Sequence, residues 1–500
     1  MKISHTQKII LIIAACFLLL VGAVYFFDKG VAIGIFLLGL AVSATFAAAF
    51  KFNLKGKEFY LLLTAGLLVH LSAVLFIYFT GFRPVGGGAD YELYHNVAQK
   101  IYYRFWDGNF SLNGLYLGHG FSLFIAMIYL LTIPEAIIAN IFIVWFFVLS
   151  LIFIYLIVIE IGGSAKTAVL AGALAIIYPS YLYFGSLVLK DTIIVPLSLA
   201  AMLLSVKMIK KFSWIKFLVF FIVLSCLIQL RFYIGYAALF GFIISWFLAS
   251  NLIFEKRVIF GTIMMFILGF SPLLSGGGYY GVYTIMSFLN PQKIYYYREV
   301  VYNPLAIKNN QANYSQSSCA SQPPQNELPP KQTSCEDQLS EDNFPAPEGK
   351  GSSFLVKTGI ENGFMAFSIN SFESFLYNLF GPFPWQLKYK RQLISFIEVV
   401  PWYLLWVFFI LGFTKFIKQK SFLEVFRHYR LCIPLLAFCL MAMGALSIFI
   451  NNFGIATRIR IPVFICLLIM MFFTLNNNIE NYYEKIFSYG RSWIHRLKSR

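Results

Sequence analysis

The sequence predicts an all-α polytopic membrane protein with about twelve transmembrane helices, interfacial helices and one large outer loop. Of its 500 residues, 59% are hydrophobic and 12% are charged, whereas soluble domains carry about 25% charged residues. Apolar runs of about 20 residues recur along the chain, and each is long enough to cross a hydrocarbon core of about 30 Å. The runs are continuous rather than alternating, which excludes a transmembrane β-barrel.

Twelve apolar runs are interpreted as spans. They cover residues 9–27, 31–50, 59–80, 135–160, 166–187, 192–209, 214–230, 233–250, 258–275, 396–414, 431–450 and 459–476. The first run follows a basic segment, and the absence of a small-x-small cleavage site after it favours an uncleaved span over a signal peptide. Residues 118–132 are also apolar but too few to span, which is typical of an interfacial or re-entrant helix.

The positions of Lys and Arg predict the orientation of the spans. With the N-terminus inside, the basic loops and the basic tail all fall on one side, which the positive-inside rule makes cytoplasmic. The chain is therefore expected to be integral to the plasma membrane, the inner membrane of a bacterium, with both termini cytoplasmic. The net charge of +17 resides in these short loops and the tail, whereas residues 276–392 hold nine basic and nine acidic residues. A nucleic-acid partner is therefore not expected.

This orientation divides the chain into six regions. They are three N-terminal spans (1–80), a first outer loop with interfacial helices (81–134), a transmembrane core (135–275), a large extracytoplasmic loop (276–395), C-terminal spans (396–476) and a basic cytoplasmic tail (477–500). The middle of the large loop has a composition typical of a loosely folded segment. Cys319 and Cys335 both lie there, and an oxidising exterior favours a disulfide between them; two free thiols are the alternative.

The first outer loop carries the first candidate catalytic residue, Asp90, which follows three glycines. A carboxylate at the membrane surface acts as a general base on a hydroxyl group or binds a metal. Glu92 is a second carboxylate, and Tyr94 lies on the following helical turn; both are candidate substrate contacts. The alternative for Asp90 is a purely structural role as the N-cap of the helix that follows.

The second candidate pair, Lys190 and Asp191, stands at the outer end of the fifth predicted span. Asp191 is a candidate to orient an acceptor or a metal, and Lys190 is a candidate phosphate ligand. Ionisable groups at membrane depth tend to be functional. A helix N-cap is the structural alternative for Asp191.

Three arginines on the predicted outer side are candidate phosphate ligands. Arg231 stands alone there, against the positive-inside bias, and arginine binds phosphate with two parallel hydrogen bonds. Arg458 and Arg460 lie at the start of the last span, where a helix N-terminus favours anions. The alternative for all three is contact with lipid headgroups.

The sequence indicates no organic cofactor. It has neither zinc-type spacing of Cys and His nor a P-loop or dinucleotide fingerprint, and its cytoplasmic loops are too short for a nucleotide-sugar domain. Any glycosyl donor is therefore expected to be lipid-borne and presented outside. A divalent cation, if the reaction uses one, would be held by Asp90 and Asp191.

In this order, these elements resemble the GT-C superfamily of integral membrane glycosyltransferases, and especially its protein-mannosyltransferase-like and aminoarabinose-transferase-like branch, glycosyltransferase family 39. The resemblance covers residues 85–280 well and the C-terminal third loosely. It is carried by Asp90 with Tyr91 and Tyr94, Gly118-x-Gly120, the Gly162-Gly163-Ser164-Ala165 turn, the segment from Tyr178 to Asp191, the Leu230-Arg231 pair, and Arg458 with Arg460. Three spans precede the first outer loop, where one is usual, and several relatives have Glu at the second acidic position.

The resemblance implies a GT-C-like fold, a polyprenyl-phosphate-sugar donor and inversion at the sugar carbon. It also implies that Asp90 is the base that takes the proton of an acceptor hydroxyl on the extracytoplasmic face. The expected partners are a polyprenyl-phosphate-linked sugar, membrane lipids, and an acceptor glycan, lipid or protein.

Other classes of protein share some of these features. A polysaccharide polymerase or ligase acting on lipid-diphosphate glycans also uses outer arginines and a long outer loop, but relies on Arg and His without a first-loop Asp. A lipid-linked glycan flippase or transporter predicts ionisable residues deep within spans, for which His70 is the main candidate. A non-catalytic scaffold predicts that Asp90 tolerates change.

Overall fold

The computed structural model of the chain describes residues 5–52, 54, 56–82, 88–115, 117, 120–269, 285–286, 289–295, 298, 359–381, 383, 394–419, 421–450 and 453–475. Within these ranges every regular element is a helix. The prediction of an all-α protein is therefore confirmed for the described part of the chain. Cys319 and Cys335, the predicted disulfide pair, lie outside it.

Twelve helices are described in the first half of the chain, up to residue 267. They are α1 (His5–Tyr25), α2 (Lys29–Lys51), α3 (Lys57–Thr80), α4 (Gly88–Trp106), α5 (Phe121–Leu130), α6 (Ala136–Glu160), α7 (Ala165–Ile176), α8 (Pro179–Phe184), α9 (Asp191–Lys210), α10 (Trp214–Leu230), α11 (Phe232–Ala249) and α12 (Phe254–Ile267).

The second half contributes the remaining described helices. They are α13 (Pro291–Tyr295), α14 (Phe364–Phe380), α15 (Ile394–Gln419), α16 (Phe422–Tyr429), α17 (Ile433–Phe449), α18 (Phe453–Ile459) and α19 (Ile461–Leu475). Short 3₁₀ turns at Ile360–Asn362 and Arg430–Cys432 precede α14 and α17.

Six helical stretches are long and apolar enough to cross a membrane. They are Lys29–Lys51, Lys57–Thr80, Ala136–Glu160, Asp191–Lys210, Phe232–Ala249 and Leu423–Phe449, and shorter apolar helices pack among them. These lengths and compositions support a membrane-embedded helical protein. The count of twelve spans stays a prediction.

The predicted span 166–187 is two short helices rather than one. Helix α7 ends at Ile176 and α8 begins at Pro179, and between them Tyr178 has an extended backbone. The residue before a proline is driven away from the helical region by the proline ring, which explains the break. The break places Tyr178 and Pro179 on the wall of an apolar groove that also involves α15 and α19.

Helix α5 lies where the sequence predicted an interfacial or re-entrant helix. It has 10 residues, about 15 Å of length at 1.5 Å per residue, which is half of a hydrocarbon core. It packs against α4 and α6, with Phe121 and Tyr129 buried. This short helix therefore braces α4, the helix that carries Asp90, against the core.

Helices α11 and α17 pack closely against each other in the described core. A β-carbon added at Gly241 of α11 would lie 2.9 Å from the backbone nitrogen and 3.1 Å from the Cα of Phe438 in α17. Small residues at such crossings let two backbones approach closely, which is how helices associate in lipid.

The Gly241→Ala substitution is therefore expected to destabilise the protein by about 1–3 kcal/mol, the usual cost of overpacking. The neighbouring α17 offers the matched control Gly444→Ala, because a β-carbon there meets nothing within 4 Å. Unfolding midpoints in detergent measure both variants. Equal midpoints for the two would contradict the close contact at Gly241.

Polar side chains from several helix ends meet at each end of α9. At its last turn, Lys210 makes an ion pair with Glu160 at 3.1 Å, and Asn251 donates to the Lys210 carbonyl. At its first turn stand Lys190 and Asp191. Segments predicted to be inner thus meet at one end, and segments predicted to be outer meet at the other.

Candidate functional site

Four distant segments meet at the start of α9. Arg458 in α18 donates from Nη1 to Asp90 Oδ2 in α4 at 2.8 Å, across 368 positions of sequence. The same nitrogen lies 3.9 Å from Asp191 Oδ2, and Asp191 pairs with Arg231. Asp90, Lys190, Asp191, Arg231 and Arg458 are hereafter the charged cluster.

The Arg231–Asp191 pair is held by two parallel hydrogen bonds. Arg231 Nε donates to Oδ1 and Nη2 donates to Oδ2, both at 3.2 Å, which is the two-pronged geometry of strong arginine–carboxylate pairs. Asp191 is 5% exposed and Arg231 is 15% exposed. The remaining nitrogen, Nη1, donates to the Tyr233 hydroxyl at 2.8 Å. The guanidinium is therefore fixed on all three sides.

The backbone also fixes Arg231. The residue separates α10 from α11 in an extended conformation. Its N–H donates to the Leu227 carbonyl, and its own carbonyl accepts from Ile234 and Gly235. A side chain projecting from a corner anchored in both helices has little freedom, which suits a preorganised electrostatic site.

Lys190 is buried in the charged cluster without a matching acid of its own. It is 7% exposed, and its amine makes no hydrogen bond or contact ion pair within the described part of the chain. Burial and the Arg231 charge lower the pKa of Lys190 to about 7, although Asp191 and Asp90 act in the opposite direction. Both carboxylates already contact arginines, and the role of Lys190 as a phosphate ligand stays a prediction.

Asp90 is the open side of the charged cluster, with 46% of its side-chain surface exposed. The structure places it inside the first turn of α4, which begins at Gly88, and not at the N-cap. Asp191 likewise stands inside the first turn of α9, where Lys190 is the N-cap. The N-cap alternative is therefore wrong for both residues, although a carboxylate in a first turn is still favoured by the helix dipole.

The remaining predicted site residues lie near the charged cluster in different environments. Glu92 is exposed on α4, and Tyr94 is buried with its ring 5.0 Å from that of Phe121. Their roles in substrate binding stay predictions.

Arg460 contacts protein groups. It is 1% exposed, and Nη1 donates to the carbonyls of Asn378 and Gly381 at 3.3 and 2.6 Å. Its guanidinium also lies 4.7 Å from the Phe464 ring centre. These contacts tie the end of α14 to the start of α19, so they favour a structural role, and the predicted phosphate contact stays untested.

The donor set does not fit a divalent cation. Among the described residues, no group of three His, Cys, Asp or Glu side chains could hold a metal ion. Asp90 and Asp191, the predicted ligands, both approach Arg458, so a metal between them would have to displace a guanidinium. The positive charges of the described cluster are those of the Lys190, Arg231 and Arg458 side chains.

The structure adds two aromatic contacts that the sequence reasoning missed. Tyr233 accepts a hydrogen bond from Arg231, and the ring of Phe184 lies 5.7 Å from the Arg458 guanidinium. Tyr233 follows Arg231 by two residues at the start of a helix. The contact between them could therefore have been predicted from the Arg-Phe-Tyr sequence. Nothing in the sequence near Phe184 indicates its contact with Arg458.

Comparison of the chain with models of known protein families gave no match, and comparison with characterised proteins gave none either.

Proposed function

We propose that the protein is a membrane glycosyltransferase of GT-C type that moves a sugar from a polyprenyl-phosphate donor to an acceptor hydroxyl, with inversion, on the extracytoplasmic face. The observation that carries this proposal is the meeting of Asp90, Lys190, Asp191, Arg231 and Arg458 from four segments. An exposed carboxylate beside buried cations supplies the two kinds of group that glycosyl transfer from a phosphate requires.

Asp90 is the proposed base. Its exposure allows an acceptor hydroxyl to reach the carboxylate, which takes the proton as the oxygen attacks the anomeric carbon. The bond from that carbon to the phosphate oxygen breaks, and its electron pair stays on the phosphate. Lys190, Arg231 and Arg458 stabilise this charge, since preorganised cations in a site shielded from water act strongly on a developing anion.

An apolar groove beside the charged cluster supports a lipid-borne donor. It has a volume of about 300 Å³ and is lined by residues of α7, the α7–α8 break, α15 and α19, among them Tyr178, Trp402 and Phe464. Its wall includes Pro179 at the start of α8, and the ring of Phe184 at the end of α8 lies 5.7 Å from the guanidinium of Arg458, a member of the charged cluster. We assign the donor's isoprenoid chain to this groove.

The positive-inside pattern assigns the charged cluster to the outer side of the plasma membrane. The same pattern puts Glu160, Lys210 and Asn251, which meet at the other end of α9, on the cytoplasmic side. Both termini are cytoplasmic in this arrangement.

A donor panel tests the proposal directly. Purified protein in nanodiscs is incubated with radiolabelled polyprenyl-phosphate hexoses and an extract of cell-envelope acceptors. We expect sugar transfer with release of polyprenyl phosphate. Turnover of lipid-diphosphate oligosaccharides, with none of the monophosphate donors, would instead indicate the polymerase or ligase alternative.

The pH dependence of donor binding is expected to follow Lys190. The Lys190 amine, whose pKa is about 7, is a cation below that pH and neutral above it. The KM for the donor should therefore rise roughly tenfold between pH 6 and pH 9, the value of one hydrogen bond to a charged group. In Lys190→Arg the site keeps its charge throughout, so its KM should be flat. An unchanged pH profile in Lys190→Arg would contradict the assignment.

A further inference from the structure

Two arginines, Arg257 and Arg430, meet at the end of α11 that lies opposite the charged cluster. Helix α11 begins directly after Arg231 and ends at Ala249, so its 18 residues rise about 27 Å at 1.5 Å per residue. It is one of the helices long and apolar enough to cross a membrane, whose hydrocarbon core is about 30 Å thick. In a membrane-spanning α11, the two arginines lie at headgroup level on the side opposite the charged cluster.

The terminal nitrogens of Arg257, near the start of α12, are already engaged by the protein. Nη1 donates to the Phe247 carbonyl at 2.8 Å, and Nη2 donates to the Ser250 and Leu252 carbonyls at 2.8 and 3.0 Å. Carbonyls at the end of a helix lack partners within the helix, so Arg257 caps α11. It is therefore a positive charge fixed in place by its contacts with the backbone.

The terminal nitrogens of Arg430, in the turn before α17, are available. Its Nε donates to the Ala249 carbonyl at 2.7 Å, whereas Nη1 and Nη2 have no partner within the described part of the chain. The Arg257 charge acts on Arg430, and neither arginine makes an ion pair with an acid in that same part. Two like charges near a protein surface repel each other, and an anion bound beside them would offset this repulsion.

Exposed apolar side chains flank the two arginines. Ile253 and Phe254, just before Arg257, are both 71% exposed, and Leu423, two helical turns before Arg430, is 72% exposed. Apolar side chains beside basic groups are typical of a protein surface at the boundary between headgroups and acyl chains. The acyl chains of a lipid would cover these side chains, whereas a water-soluble anion would leave them in contact with water.

We propose that Arg430, beside the fixed charge of Arg257, binds the phosphate of an anionic phospholipid in the leaflet opposite the charged cluster. The two terminal nitrogens of a guanidinium match two oxygens of a phosphate. A zwitterionic headgroup would bring its own cation toward Arg257, so the site favours a lipid of net negative charge, such as phosphatidylglycerol. The inference is independent of the proposed transferase activity, because it uses none of the residues of the charged cluster.

Native mass spectrometry of the full-length protein in detergent tests this site. The protein is titrated with phosphatidylglycerol or with phosphatidylcholine that has the same acyl chains. We expect the wild type to bind phosphatidylglycerol about tenfold more tightly, the value of one hydrogen bond to a charged group. An excess of inorganic phosphate should leave this binding unchanged, because phosphate alone lacks the acyl chains.

Three variants separate a specific phosphate contact from general attraction to positive charge. Arg430→Gln should abolish the preference for phosphatidylglycerol. Arg430→Lys keeps the charge without the two parallel donors, so it should lose most of the preference, and it provides the test if Arg430→Gln does not fold. Lys51→Gln is the control, because Lys51 is exposed at the end of α2; it removes the same charge elsewhere and should keep the tenfold preference.

Four results would overturn the inference. Equal binding of the two lipids by the wild type would refute an anionic lipid site. An equal loss of preference in Lys51→Gln and Arg430→Gln would indicate general attraction to the positive surface. Full preference in Arg430→Lys would refute the two-pronged contact. Displacement of phosphatidylglycerol by inorganic phosphate would make the site one for a soluble anion.

Discussion

The Asp90→Asn variant is expected to lose sugar transfer by about 10²–10⁴-fold, the usual contribution of a positioned general base. Asn has the shape of Asp and keeps an oxygen that accepts from Arg458, so the 2.8 Å contact needs no rearrangement. What is lost is the ability to take a proton from the acceptor hydroxyl. Initial rates of transfer from the labelled donor, at saturating donor concentration, measure the effect.

The control for Asp90→Asn is Asp107→Asn, the same chemical change at an exposed position just beyond the other end of α4. It should leave both activity and the thermal midpoint unchanged. The Asp90→Asn protein should stay folded and lose less stability than Asp191→Asn, because Asp90 is partly exposed and Asn still accepts from Arg458. Full activity in a folded Asp90→Asn protein would refute the base and favour a scaffold or a transporter.

The Asp191→Asn variant is expected to lose stability as well as activity. Removing one partner of a buried ion pair costs about 3–5 kcal/mol, because the other charge stays buried without compensation. Here Arg231 is 15% exposed and Arg458 is 7% exposed, so both guanidinium groups would be affected. Denaturant unfolding in detergent, beside the transfer assay, separates the two losses.

A double-mutant cycle shows whether the Asp191–Arg231 pair acts as a unit. Arg231→Gln alone leaves a buried carboxylate near Arg458, whereas the double variant Asp191→Asn/Arg231→Gln removes both charges. Residues in direct contact show coupling energies of about 0.5–3 kcal/mol, so the double variant should be more stable than the sum of the single effects predicts, while remaining inactive. Additive free energies would show that the two hydrogen bonds contribute little.

The long apolar helices were predictable because a membrane leaves few backbone structures possible. Every backbone group in lipid must be satisfied within a helix, so a long apolar run such as the one that became Ala136–Glu160 has few other structures available. The short run around α5 was identified for the same reason, by its length. The break at Tyr178–Pro179 was missed because the run was judged by its apolar composition alone. The proline, which drives the residue before it out of the helical conformation, was the one indication of the break.

The members of the charged cluster were predictable one at a time, but their contacts were not. Arg231 was identified because a lone outward arginine opposes the positive-inside bias, Arg458 because it stands at a helix N-terminus on the outer side, and Asp90 because an acid followed a glycine run. Orientation put all of them on one side of the membrane without showing which side chains touch. The pairing of Arg458 with Asp90 across 368 positions depends on the packing of α18 and α4. For the same reason, Arg460 was given the same role as Arg458, although its described contacts are the carbonyls of Asn378 and Gly381 and the ring of Phe464.

The shared contact of Arg458 with Asp90 and Asp191 has a consequence for the order of events in the proposed reaction. Without a substrate, the Arg458 guanidinium occupies the Asp90 carboxylate through a hydrogen bond of 2.8 Å. When the donor binds, its phosphate competes for the Arg458 guanidinium. The hydrogen bond from Arg458 to Asp90 is then broken, so the Asp90 carboxylate becomes available as a base only after the donor has bound. This order of events would prevent Asp90 from activating any hydroxyl group, including that of water, before a donor sugar is bound.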